Sequence, residues 1–135
     1  MTTATTKLST EDMLAIQQLY GRYNHAIDSG DGQGWASCFT ANGTFTSPAS
    51  GSLAGTEALA TFAEGFAGRL RGRHWINNLV LESDGDGARG KCYLMLLRLV
   101  EGQPASILAT GIYDDRLVKR DGSWVFASRN VATEG

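Results

Sequence analysis

Four runs rich in leucine, β-branched and aromatic residues fill the second half of the chain, over 73–82, 89–100, 105–118 and 123–132. The gaps between them carry turn chemistry: Asp84-Gly85-Asp86-Gly87, Glu101-Gly102-Gln103-Pro104 and Arg120-Asp121-Gly122-Ser123. Short glycine-bearing links of this kind suit hairpins, because glycine supplies the positive φ that a tight reversal needs. The second half therefore predicts an antiparallel meander.

The first half has helical periodicity instead. Residues 1–8 form a polar leader, expected to be frayed. Ser9 with Asp12 resembles a capping box, and Glu11 and Asp12 suit the positive end of a helix. Ile16, Leu19, Tyr20, Tyr23 and Ile27 then recur at helical spacing. The helix is expected to stop at Ser29-Gly30-Asp31-Gly32, where glycine can take a left-handed cap. Residues 34–39 read as a short second helix, Thr44-Phe45-Thr46 as a strand ending at Pro48, and 50–55 as a loop. Thr56 is the expected cap of a third helix, with Leu59, Phe62, Phe66 and Leu70 on one face. Gly65 and Gly68 weaken that helix and suit a mobile one. Three helices followed by a meander make an α+β layout. At 135 residues, of which 42% are hydrophobic and 19% charged, the chain suits one globular domain spanning 1–135.

Charge and composition narrow the partners. A net charge of −2 offers no basic surplus, so neither nucleic acid nor an anionic membrane is expected. No apolar run reaches membrane-spanning length, and the start lacks the charged-then-apolar order of a signal peptide. A soluble cytoplasmic protein is expected. Cys38 and Cys92 sit in apolar contexts and read as buried free thiols. The spacing of His, Cys and acids suggests no metal site, and no Gly-x-Ser-x-Gly or phosphate loop is present.

In residues 91–100, Tyr93, Met95, Leu97 and Leu99 share one strand face, while Cys92, Leu94, Leu96 and Val100 share the other. A sheet wetted on one side would alternate apolar with polar. The helices can cover one face. A second copy of the chain is the economical cover for the other, so a homo-oligomer, dimer or trimer, is expected.

The candidate chemistry centres on His74, one of two histidines. Alternation places His74, Ile76, Asn78 and Val80 on one side of a strand. The imidazole reads either as a general base held by a carboxylate or as a structural histidine bonded to a carbonyl. Asp28 opposes the dipole at the end of the first helix, so it either serves the following turn or reaches inward. Tyr23 can donate a hydrogen bond in a pocket or rest as a core aromatic. Arg129 shares a predicted face with Val125, Ala127 and Val131, a costly position unless the charge is paired. His25 lies off the apolar stripe and reads as exposed.

Several stretches together resemble the SnoaL-like group of the nuclear-transport-factor-2-like superfamily. They are residues 16–28, Trp35 with 39–45, Gly55, His74, 111–115 and 120–129. The resemblance covers nearly the whole chain. It implies a cystatin-like cone in which a curved antiparallel sheet wraps around the helices. Within that group the pattern is similar to lyases with an Asp–His dyad, such as hexachlorocyclohexane dehydrochlorinase, bile-acid dehydratase and scytalone dehydratase. It implies that His74 removes a carbon-bound proton while Asp28 holds the ring. Tyr23 and Arg129 would then bond the departing group or an enolate oxygen. A ketosteroid isomerase is also similar at Tyr23, but its catalytic aspartate would fall near Ser47, which is no carboxylate base. The expected ligand is an apolar, cyclic small molecule, walled by Trp35, Phe45, Phe62, Phe66 and Asn78, with no metal or organic cofactor. The alternatives are an isomerase or polyketide cyclase, or a non-catalytic binding or accessory protein.

Overall fold

The computed structural model describes residues 7–134. Helix α1 (Thr10–Ser29) opens on a complete capping box: Asp12 N–H donates to the Ser9 side chain, and Ser9 N–H donates to Asp12. It closes on Gly30 at φ 75°, in the left-handed region that glycine enters without penalty. Helix α2 (Gly32–Ala36) starts two residues earlier than its apolar residues suggest. Asp31 accepts from Gly34 N–H at 2.9 Å and so caps it. Phe39 consequently begins a strand rather than ending a helix.

Strand β1 (Phe39–Ser47) pairs antiparallel with β2 (Gly51–Ala54), a strand where the sequence suggests only a loop. Helix α3 (Thr56–Arg69) runs unbroken through Gly65 and Gly68. Its N-cap is Gly55, with no side-chain cap bond, so Thr56 is not the cap. Strands β3 (Gly72–Asp84), β4 (Gly87–Arg98), β5 (Ser106–Arg120) and β6 (Ser123–Glu134) form the expected meander. Asp121 and Gly122 both take positive φ between β5 and β6, the requirement of a tight primed hairpin. The sheet order is β2-β1-β6-β5-β4-β3, and β1 joins β6 in parallel. The fold is α+β, with the helices packed on one face of an antiparallel-dominated sheet.

Of the expected frayed leader, residues 1–6 lie outside the described residues. Leu8 packs against the core, and its N–H donates to Ser83 Oγ at 3.0 Å. Cys38 and Cys92 are buried and free. The other face of the sheet stays bare in the single chain: Trp75, Tyr93 and Ile107 are 59%, 50% and 61% exposed. No helix among the described residues is long and apolar enough to cross a membrane.

Candidate active site

β3 is an edge strand, so some of its backbone groups point away from β4 toward the end of α1. There the His74 N–H donates to both oxygens of Asp28, at 3.1 and 3.2 Å. The His74 ring Nδ1 lies 2.6 Å from Asp28 Oδ1, and both side chains are about nine-tenths buried. A carboxylate can only accept, so it selects the tautomer with the proton on Nδ1. Nε2 is then left with a free lone pair. Asp28 therefore reaches inward, and the turn after α1 is served by Asp31 and Gly30 instead.

His74 lines a cavity of about 300 Å³ enclosed by the helices and the concave sheet. Trp35, Phe45, Phe62 and Phe66 form much of its apolar wall, and Tyr23 and Tyr113 lie at its deep end. Pro48, Ala49 and Leu108, all exposed, mark the mouth. The Phe66 and His74 rings lie 5.5 Å apart, so the imidazole rests against an aromatic wall. On the other side of the dyad a solvent-open cleft of about 440 Å³ is bordered by Asn24, His25, Asp28, Arg73 and Trp75. Asp28 and His74 thus stand between an apolar chamber and a polar one. His25 is exposed, as its position off the stripe suggests.

Two expectations need correction. Asn78 does not line the cavity. The β3–β4 register slips by one residue between Asn77 and Val80, and Asn78 sits in that bulge at φ 56°, exposed. The bulge reverses the alternation, so Leu79 and Leu81 follow His74 and Ile76 onto the core side, and Val80 turns out to solvent. Arg129 is fully buried one layer beneath the cavity rather than on its wall. Its Nε donates to Asp115 Oδ1 at 3.0 Å, and Tyr20 Oη donates to the other oxygen at 2.6 Å. Here too a bulge, at Ala127 opposite Arg116–Leu117, changes the face: Trp124 and Phe126 share the inner side with Arg129, and Val125 does not.

Burial alone would disfavour the Arg129 charge, but Asp115 and the surrounding phenols more than offset it and hold the guanidinium protonated. Burial pushes the Asp115 carboxyl up, against the downward pull of Arg129. Burial also pushes the Tyr113 phenol up to about 12 and the Tyr23 phenol well above its ordinary value. Both remain O–H donors at neutral pH. Gly90 makes room for this layer: it faces Asp115 across β4–β5, and any Cβ there would collide with Tyr20 Oη.

Sequence reasoning missed Tyr113 and Asp115. Their signal was present: Gly111, Tyr113, Asp115 and Leu117 alternate onto the inner face of β5. A buried arginine on the neighbouring strand needs one acidic partner. Counting back from the Asp121-Gly122 turn does not find it, because the bulge at Ala127 shifts the register by one. Among the described residues no group of His, Cys, Asp and Glu converges to hold a metal.

Comparison with known proteins agrees with this architecture. The sequence pattern of the SnoaL-like domain matches residues 9–130. A variant of Rv3472 from Mycobacterium tuberculosis, a protein of unknown function, is 37% identical, with a TM-score of 0.85 over 92% of this chain and 72% of that one. A protein of Catenulispora acidiphila, solved in complex with S-DNPA, is 25% identical, with a TM-score of 0.82 over 93% and 95%. An NTF2-like protein with a cystatin-like fold from Novosphingobium aromaticivorans, 21% identical, shares the fold alone, with a TM-score of 0.84 over 91% and 82%. No curated protein is significantly similar to the chain. With the domain pattern spanning the helices and almost the whole sheet, the chain belongs to the SnoaL-like domain family of the nuclear-transport-factor-2-like superfamily.

Proposed function

We propose that the protein is a small lyase, of the dehydratase or dehydrohalogenase type, acting on an apolar cyclic molecule. One observation carries this reading: a histidine on the wall of an apolar cavity, with Nδ1 held by a buried carboxylate, so that the neutral ring carries its lone pair on Nε2. A base so held can take a proton from carbon, and Asp28 stabilises the imidazolium that results. The C–H proton moves to Nε2, its electron pair forms the C=C bond, and the adjacent group leaves with its own bonding pair, as the halide anion or as hydroxide that takes the proton back from Nε2 and departs as water. The aromatic walls orient the ring system and exclude water from it. The outer cleft beside Asp28 gives the proton a path back to solvent. The relative solved with S-DNPA supports small-molecule binding by this fold.

The test is turnover of cyclic molecules carrying a leaving group beside an acidified C–H, beginning with 3-hydroxycyclohexanone and following the enone by its absorbance. Enone formation lost by about 10²–10⁴-fold in His74→Ala is the expected result. Hydrogen exchange without elimination would favour an isomerase or cyclase. Binding without either would favour an accessory protein.

We also propose that a second copy covers the bare sheet face around Trp75, Tyr93 and Ile107. Light scattering at micromolar concentration should give at least a dimer, and Trp75→Glu should give a monomer. A wild-type monomer contradicts this.

A further inference from the structure

The mouth of the cavity carries a polar feature that the dyad does not use. Ser47, the last residue of β1, lines the cavity immediately before Pro48 and Ala49. Its side chain is half-buried, and Phe45, Leu108 and Val131 make the wall around it mostly apolar.

The hydrogens around Ser47 follow from the turn that joins β1 to β2. Ser50 Oγ donates to the Gly51 carbonyl at 2.7 Å. A hydroxyl has one hydrogen to give. The 2.7 Å contact between Ser47 Oγ and Ser50 Oγ therefore has Ser47 donating. Ser50 N–H donates in turn to Ser47 Oγ at 3.0 Å. Ser47 Oγ thus commits its only hydrogen within the turn and, among the described residues, keeps one lone pair for the cavity that it lines. Two bonds to one oxygen fix it before any ligand arrives, so little order is lost on binding.

The position of Ser47 matters as much as its polarity. His74 sits on the edge strand β3, and β6, β5 and β4 lie between that strand and β1. A ligand group held by Ser47 is therefore remote from the carbon that faces His74. We propose that Ser47 is a specificity-determining acceptor, which takes a hydroxyl of the ligand at the mouth and disfavours an ether, carbonyl or halide in the same place. A hydroxyl there donates to the Ser47 lone pair. An oxygen or halogen without a hydrogen meets it lone pair against lone pair, which selects against such ligands. The inference rests on the lyase reading for the chemistry at the other end. It narrows the substrate to an apolar ring system that carries, besides its leaving group, a remote hydroxyl that the product keeps.

The test uses three bicyclic probes: naphthalene, 2-naphthol and 2-methoxynaphthalene. The second offers a hydrogen, and the third has an oxygen without one. Calorimetry should show the wild type binding 2-naphthol about three- to tenfold more tightly than naphthalene, the effect of one ordinary hydrogen bond. It should bind 2-methoxynaphthalene no more tightly than naphthalene. Ser47→Ala should lose most of the 2-naphthol preference while naphthalene binding stays the same. Ser50→Ala gives a signature that a merely structural role would not. It removes the acceptor of the Ser47 hydrogen, so Ser47 becomes able to donate, and 2-methoxynaphthalene should gain about threefold relative to naphthalene. Equal wild-type affinity for 2-naphthol and naphthalene overturns the proposal, and so does an undiminished 2-naphthol preference in Ser47→Ala. An unchanged ratio of 2-methoxynaphthalene to naphthalene in Ser50→Ala overturns the assignment of the Ser47 hydrogen on which the selectivity depends. None of the probes carries a leaving group, so their affinities report the acceptor alone. Enone formation from 3-hydroxycyclohexanone reports the base alone, and either can fail without the other.

Discussion

Replacing Arg129 by methionine should be among the most destabilising single changes in this chain. The guanidinium and the Asp115 carboxylate are both 0% exposed and share a 3.0 Å bond, and among the described residues Tyr20 supplies the only other side-chain donor to that carboxylate. Methionine keeps much of the volume and the aromatic contact but strands a buried carboxylate. Breaking such a pair costs about 3–5 kcal/mol, mainly from the charge left behind. For a domain of this size that corresponds to a fall in Tm of roughly 10–25 °C. Circular dichroism melts and urea titrations would read it. The pH dependence adds a second signature. Without Arg129 the Tyr20 hydrogen bond is left to oppose the upward push of burial on Asp115. A carboxyl whose folded pKa lies above its unfolded value binds more protons when folded, so stability falls as pH rises through that folded value. The deficit of the variant should therefore shrink toward pH 4 and widen above it. Adding Asp115→Asn to Arg129→Met removes the stranded charge and should recover part of the loss. A methionine variant within about 1 kcal/mol of wild type, a loss too small for any stranded buried charge, refutes the reasoning.

Other consequences follow from single contacts. Asp12 is lowered to about 2, chiefly by the Trp124 indole donating to it at 3.0 Å and by the Ser9 N–H. The stability linked to it is present above the ordinary carboxylate value near 3.8 and is lost as pH falls through about 2. Trp124→Phe should move the carboxyl titration, followed by ¹³C NMR, back toward 3.8, and an unchanged titration contradicts the contact. Burial pushes both Cys38 and Cys92 up to about 11, so neither should react with a disulfide reagent at pH 8 until urea unfolds the chain. Fast reaction of the folded protein would show that the thiols are reachable. Asp28→Asn keeps the side-chain shape but frees the His74 tautomer, and it should slow enone formation by about 10²–10⁴-fold with little change in folding. Full turnover in that variant would remove Asp28 from the mechanism.

The elements legible from sequence were those with local causes. The capping box at Ser9, the stripe from Ile16 to Ile27 and the Asp121-Gly122 turn each act within a few residues, so α1 and the meander could be read directly. The pairing of Asp28 with His74 came from resemblance rather than spacing, since the edge strand that joins them is a tertiary fact. The misplaced residues have one physical origin. Single-residue bulges at Asn78 and Ala127 reverse the inward side of β3 and β6, and strict alternation cannot anticipate them. The parallel β1–β6 contact and strand β2 were invisible for a related reason: a pairing between strands far apart in the chain and a four-residue strand, Gly51–Ala54, both come from the sheet they join rather than from local sequence.

The most direct test of the site is the ¹⁵N NMR spectrum of the neutral form of the His74 ring, assigned by its loss in His74→Ala. A protonated Nδ1 held by Asp28 and an unprotonated Nε2, with the two signals converging in Asp28→Asn, is the predicted result. A proton fixed on Nε2, unmoved by Asp28→Asn, would mean that no free base faces the cavity and would contradict the lyase reading.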